Sequence, residues 1–166
     1  MIYFQSEKSN MPTAAELIGG ASFQYGLTPF ETIRAYASQK HKNTLTVFAL
    51  RQHIERLFRT LKSLNICLNY REEEVLSRVM SILRSLDTGT DYLIKIMVFT
   101  MEPSWGNAEK FDLVYIISKS PRRVMGAYPV KLLTGPMRRA RSDISAAKVK
   151  VGANYVASRP SQRLAQ

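Results

Sequence analysis

The sequence predicts an α+β fold: a small domain in which a sheet is packed with two helices, followed by the start of another unit. Three observations predict it. Residues 30–35 alternate, with Phe30, Thr32 and Arg34 on one side and Glu31, Ile33 and Ala35 on the other, which is the period of a strand. Residues 49–66 and 71–86 place apolar side chains at intervals of three and four, the period of a helix with one buried face. Residues 91–100 and 111–118 are near-continuous apolar runs rich in β-branched and aromatic residues, as strands under a helical layer would be.

In chain order, the alternation of Ile2 and Phe4 predicts a short first strand. The Gly and Pro of SFQYGLTPF form a turn into the strand at 30–38, the polar QKHKNT makes the next turn, and LTVF returns as a hairpin partner. In the first helix Leu50, Ile54, Leu57, Leu61 and Leu64 share a face; the second opens with three acids, where the helix dipole favours negative charge. Cys67, within LNICLNY, reads as a small core residue. The loop MEPSWGNAEK between the two late strands holds Trp105 and reads equally as a lid or as a packed surface turn. Residues 119–127 have the composition of a linker, 128–134 start a new strand, RRARSD is a polar loop, and the last fifteen residues are a turn leading into a helix that Pro160 breaks or delays. The predicted organisation is therefore a domain over 1–118, a linker over 119–127 and an incomplete second unit over 128–166.

The chain has 166 residues and a formal net charge of +11. From Pro121 onward there are ten basic residues and one acid, Asp143. Such an excess points to an anionic ligand, a phosphate or a nucleic acid, or to a solvated surface with acidic partners elsewhere. RNA-binding sheets expose stacking aromatics on a recognisable strand motif, and none is present, so a basic nucleic-acid-binding module is the alternative rather than the expectation. No apolar run approaches the ~20 residues that span a bilayer, and no basic-then-apolar leader opens the chain. A cytoplasmic protein without membrane, metal or disulfide is expected.

The stretch KVKVGANYVAS, residues 148–158, carries the candidate chemistry. An amine acts as a covalent catalyst only while partly neutral. Small residues behind it, Gly152 and Ala153, allow a flat group to lie against the backbone, and Tyr155 offers a phenol. Lysines in basic segments are far more often simple surface charges, so spacing alone leaves the choice open.

Five stretches taken together resemble the fold-type IV (class IV) family of pyridoxal-phosphate aminotransferases, most closely its branched-chain amino acid aminotransferases. IYFQSE is similar to the family's first strand. FQYGLTPFETIRAY resembles its Tyr-Gly and Phe-Glu-(Gly/Thr)-Ile-Arg signature, and RQHIERLFRTLKSLNI its Glu-His-hydrophobic-x-Arg-Leu helix, with Gln52 replacing the usual glutamate. PVKLLTGPMRRARSD is similar to the strand and arginine-bearing loop ahead of the catalytic lysine, and KVGANYVAS to the Lys-x-Gly-x-Asn-Tyr that holds the cofactor.

The resemblance implies pyridoxal 5'-phosphate as cofactor, with Lys150 as the Schiff-base lysine and Tyr155 bonding the ring oxygen. Lys148, ahead of the motif, is the less favoured nucleophile. Arg56 would hold the phosphate, whose two oxygens match a guanidinium fork. Tyr25 and Phe30 would line the substrate side. The family's Tyr-x-Arg arginine falls on Lys95 or is replaced by Ile94, which makes Lys95 the substrate-binding candidate. The reaction implied is amino transfer between a branched-chain amino acid and 2-oxoglutarate, in a homodimer. The aminodeoxychorismate lyases and D-amino acid aminotransferases of the same fold are the alternatives. Their lysine is followed more directly by Leu-Asn, whereas Gly152 and Ala153 intervene here. The second unit would be the truncated start of a larger α/β domain. About half of a family member is present, so this fragment is expected to be catalytically poor or dead alone.

Overall fold

Among the described residues, five antiparallel strands carry the architecture, in the spatial order β1-β5-β4-β2-β3. They are β1 (Ile2–Phe4), β2 (Phe30–Ala37), β3 (Leu45–Val47), β4 (Tyr92–Phe99) and β5 (Asp112–Lys119), with α1 (Ala14–Gly19), α2 (Ala21–Gln24), α3 (Leu50–Ser63) and α4 (Glu72–Arg84) between them. A 3-10 turn over Gly152–Ser158 runs into α5 (Arg159–Leu164). The computed structural model describes residues 1–5, 12–122, 134–135 and 148–164. Most of the expected linker, the strand at 128–134 and the RRARSD loop lie outside the described residues.

The alternation in β2 settles its two faces. Glu31, Ile33 and Ala35 are buried, while Thr32, Arg34 and Tyr36 are half-buried on the opposite face. Cross-strand partners point the same way, so Ile33 joins Ile94 and Ile117 through the pairings of β2 with β4 and of β4 with β5. On that face α3 and α4 lay down Ile54, Leu57, Leu61, Val75, Val79 and Leu83, closing a core that water does not reach. The fold is mixed α+β, as the sequence predicts.

The pair α1–α2 has no counterpart in the predicted elements. Its start is nonetheless written in Thr13-Ala-Ala-Glu16: the Thr13 hydroxyl accepts from the Glu16 amide at 3.2 Å, and the Glu16 carboxylate accepts from the Thr13 amide at 2.7 Å. Two otherwise unpaired helix donors are thereby satisfied. A Cβ on Gly20 would lie 2.4 Å from the Thr100 carbonyl oxygen, so only glycine lets α2 sit this close to the chain leaving β4.

Cys67 is exposed, not core. Ile66 faces the core and Leu68 packs against it, and an extended chain turns the residue between them outward. Trp105 is exposed in a loop ordered by Glu102, whose carboxylate accepts from the amides of Glu109 and Lys110. α5 begins at Arg159 with Pro160 in its first turn, where the missing N–H costs nothing. No helix among the described residues is long and apolar enough to cross a membrane, and no described group of His, Cys, Asp or Glu forms a metal cluster.

Candidate active site

The segment carrying Lys150 is stitched to the N-terminal end of β2. Pro29 and Val151 form an antiparallel bridge, the Phe30 amide donates to the Lys150 carbonyl at 3.0 Å, and the Gly152 amide donates to the Thr28 carbonyl at 3.1 Å. Val149 and Val151 are buried, which leaves Lys150 between them facing the other way. A Cβ at Gly152 would stand 2.4 Å from the Thr28 hydroxyl oxygen. Glycine at position 152 is thus favoured by this close approach, since a side chain there would have to turn the Thr28 hydroxyl aside, independent of any ligand.

Lys150 Nζ donates to the Tyr155 oxygen at 2.6 Å and lies 4.5 Å from the centre of the Phe30 ring. The Phe30 and Tyr155 rings meet at 5.2 Å between centroids. The 3-10 turn makes this possible, because it brings residue 155 back toward residue 150, and the Asn154 side-chain amide pins it by donating to the Val149 carbonyl at 2.9 Å. Lys95, on the open face of β4, places its Nζ 4.7 Å from the same Phe30 ring. Cation and ring attract electrostatically at such distances. Lys148 is exposed. Tyr25 is 54% exposed at the end of α2 and makes no ring contact among the described residues. It enters the area only through its neighbour Gly26, whose backbone, at φ +67, packs on Ala153.

Arg56 projects from α3 toward the same end of the sheet. Its Nε and Nη2 donate to the two oxygens of Glu31, each at 2.6 Å, and Glu31 is completely buried. His53, one turn earlier, approaches the Glu31 Oε2 with its Nδ1 at 2.8 Å. An ionised carboxylate only accepts, so Nδ1 carries the proton. Burial pushes the Glu31 carboxyl up, but the hydrogen bonds from Arg56 and His53 and their charges outweigh it, and the net shift is downward. The hydrogen bond to Glu31 in turn holds the Arg56 guanidinium above its ordinary value, with Tyr155 a further contributor, which places the phenol within electrostatic reach. The Arg56 side chain is 48% exposed, and its Nη1 donates to nothing among the described residues.

Four of the residues selected from sequence, Lys150, Tyr155, Phe30 and Lys95, thus share one contact region, Arg56 borders it, and Tyr25 stands outside the ring contact. Glu31 and His53 are not among the candidates the sequence points to. Their signal is in the sequence: Glu31 alternates with Ile33 and Ala35 onto the core face, and a buried carboxylate there demands a cation. The chemistry of the set suits pyridoxal 5'-phosphate. It offers an amine for an aldehyde, a phenol beside it, and an open guanidinium edge for a phosphate.

No family model matches the chain. A probable branched-chain-amino-acid aminotransferase from Aquifex aeolicus is 35% identical over 78 residues, which cover 47% of this chain and 25% of the relative. The structure superposes on the branched-chain aminotransferase of the thermophilic archaeon Thermoproteus uzoniensis, solved with norvaline, at a TM-score of 0.77 and 22% identity, over 99% of this chain and 55% of that one. It superposes on the pyridoxal-phosphate form of the Thermobaculum terrenum enzyme at 0.80 and 14% identity, over 95% of this chain and 52% of that one. The chain spans about half the length of the solved structures it matches. It carries the fold of the N-terminal half of the branched-chain amino acid aminotransferases, pyridoxal-phosphate enzymes of fold type IV.

Proposed function

We propose that the chain supplies the attachment and phosphate-holding wall of a pyridoxal-phosphate-dependent aminotransferase acting between a branched-chain, aliphatic amino acid and 2-oxoglutarate. The observation that carries this reading is the juxtaposition of Lys150 Nζ with the Tyr155 phenol, both against Phe30, with Arg56 in electrostatic reach of that phenol. Pyridoxal 5'-phosphate, when bound, supplies the aldehyde and the electron sink. The protein's residues do the rest. Lys150 Nζ is the attachment point and, hydrogen-bonded to Tyr155, is placed to hold a proton and pass it on. Arg56 turns its Nη1 edge to the phosphate. Phe30 closes the floor against water and gives an apolar surface to an aliphatic side chain, while Lys95 offers an ammonium for the substrate carboxylate.

In this reading residues 1–118 are the N-terminal domain, 119–127 the link, and 128–166 the beginning of the cofactor domain of a cytoplasmic homodimer. One wall is not a complete site, so amino transfer is expected from the protein at the length of its relatives and little or none from residues 1–166 alone. The test offers L-leucine, D-alanine and aminodeoxychorismate in turn, with pyridoxal 5'-phosphate and 2-oxoglutarate, and measures the products by chromatography. Transfer from L-leucine is expected. Turnover of D-alanine or aminodeoxychorismate alone would contradict the substrate assignment.

A further inference from the structure

We infer that Glu31 and His53 are positioning residues for the phosphate site: they fix the plane of Arg56 so that its outer edge is ready for an anion before one arrives. The inference rests on the proposed function and goes beyond it, since neither residue would touch the cofactor. Three observations carry it. Glu31 lies on the core face of β2, fully buried, and cannot swing away without exposing the gap it leaves. Both of its oxygens are occupied, one by Arg56 Nε and the other by Arg56 Nη2 and His53 Nδ1. That fork-to-fork geometry uses one edge of the guanidinium and leaves Nη1 outward, on a side chain still half open to solvent.

The physical benefit is in the entropy. A free arginine samples many rotamers, and freezing them on binding weakens the complex. Here the buried carboxylate has frozen Arg56 during folding. His53 completes the device by giving the Glu31 Oε2 a second donor from α3, so that the carboxylate keeps its charge and its place opposite Arg56. Its side chain is only 19% exposed, and it lies one helical turn from Arg56 on α3. The three residues belong to the two stretches FETIR and HIER, so the strand signature and the helix signature act here as one unit.

The test compares dissociation constants for pyridoxal 5'-phosphate and for pyridoxal, which lacks the phosphate, by absorbance titration of the 166-residue chain. The ratio of the two isolates the phosphate grip from attachment at Lys150. In the unmodified chain the phosphorylated form should bind more tightly by tenfold or more, by roughly the worth of a charge-assisted hydrogen bond. Glu31→Gln, which keeps shape and removes charge, should cut that preference about tenfold and leave pyridoxal affinity unchanged. His53→Ala should shift the ratio in the same direction by a smaller factor. It serves as the deciding variant if Glu31→Gln does not fold. In an Arg56→Ala background neither change should alter the ratio further, a result that a merely structural role would not produce.

An unchanged ratio in the folded Glu31→Gln or His53→Ala chain would overturn the inference while leaving the proposed function standing. Equal affinities for the two aldehydes in the unmodified chain would overturn both.

Discussion

Replacing Arg56 by alanine is expected to cost the fold about 1 to 3 kcal/mol, below the roughly 3 to 5 kcal/mol for a pair buried on both sides, because the Arg56 side chain is 48% exposed while Glu31 is buried. The cost is not the lost attraction. Glu31 is completely buried, and without Arg56 its charge has only His53 left as a side-chain partner among the described residues. Calorimetry or urea unfolding reads the loss directly. The pH dependence gives a sharper check, since its sign should reverse. In the native chain the Glu31 carboxyl is held below its ordinary value, so the clamp stabilises fully above about pH 4.3 and the benefit is lost as pH falls through the lowered folded value. In Arg56→Ala, burial outweighs what remains, and the carboxyl is expected to rise above its ordinary value. The variant is then relatively best at acid pH and loses stability as pH rises. The gap between the two proteins should narrow toward pH 4. A gap that stayed constant or widened on acidification would mean that Glu31 does not depend on Arg56. The same variant should lose the preference for pyridoxal 5'-phosphate over pyridoxal.

Leu57→Ala provides the second large effect and the control for the first. Leu57 is 1% exposed, on the stripe of α3 that also carries Ile54 and Leu61 into the core. Truncation leaves a cavity that the surrounding sheet and α4 only partly fill, at a cost of about 2 to 5 kcal/mol. That is a large share of the roughly 5 to 15 kcal/mol by which small domains are stable. Leu57 adjoins Arg56 in sequence, but successive helical side chains diverge by about 100°, and Leu57 is buried in the apolar core and makes no part of the Glu31–Arg56 contact. The folded variant should therefore keep both the aldehyde preference and the native direction of the acid dependence. Were Leu57→Ala to abolish the phosphate preference while folded, the effect of Arg56→Ala could not be assigned to its guanidinium.

Much of this arrangement is legible along the chain, for a physical reason. Strands and helices are encoded by local periods, so the alternation in 30–35 and the three-four spacing from Leu50 to Leu64 announce β2 and α3 without tertiary information. The capping box at Thr13–Glu16 was equally readable, yet the six-residue helix it starts is too short to show an apolar period. Cys67 shows the limit of composition: its neighbours are apolar, but the extended chain after α3 alternates, and the small residue faces out. The Glu31–Arg56 clamp joins residues 25 apart, and only their placement on one side of the sheet reveals it. Lys150 and Tyr155 are five residues apart, but their meeting needs the 3-10 turn, which starts at Gly152, where the chain lies close against Thr28. Side-chain identity locates such a site, and the backbone around it makes it possible.

The most direct test treats the 166-residue chain with pyridoxal 5'-phosphate, reduces it with borohydride, and maps the stable adduct by peptide mass spectrometry. A single dominant adduct on Lys150 is predicted, absent from Lys150→Ala, with the exposed Lys148 and the neighbouring Lys95 essentially unlabelled. Label spread over the surface lysines, or an equal yield from Lys150→Ala, would contradict the assignment of this amine as the attachment point.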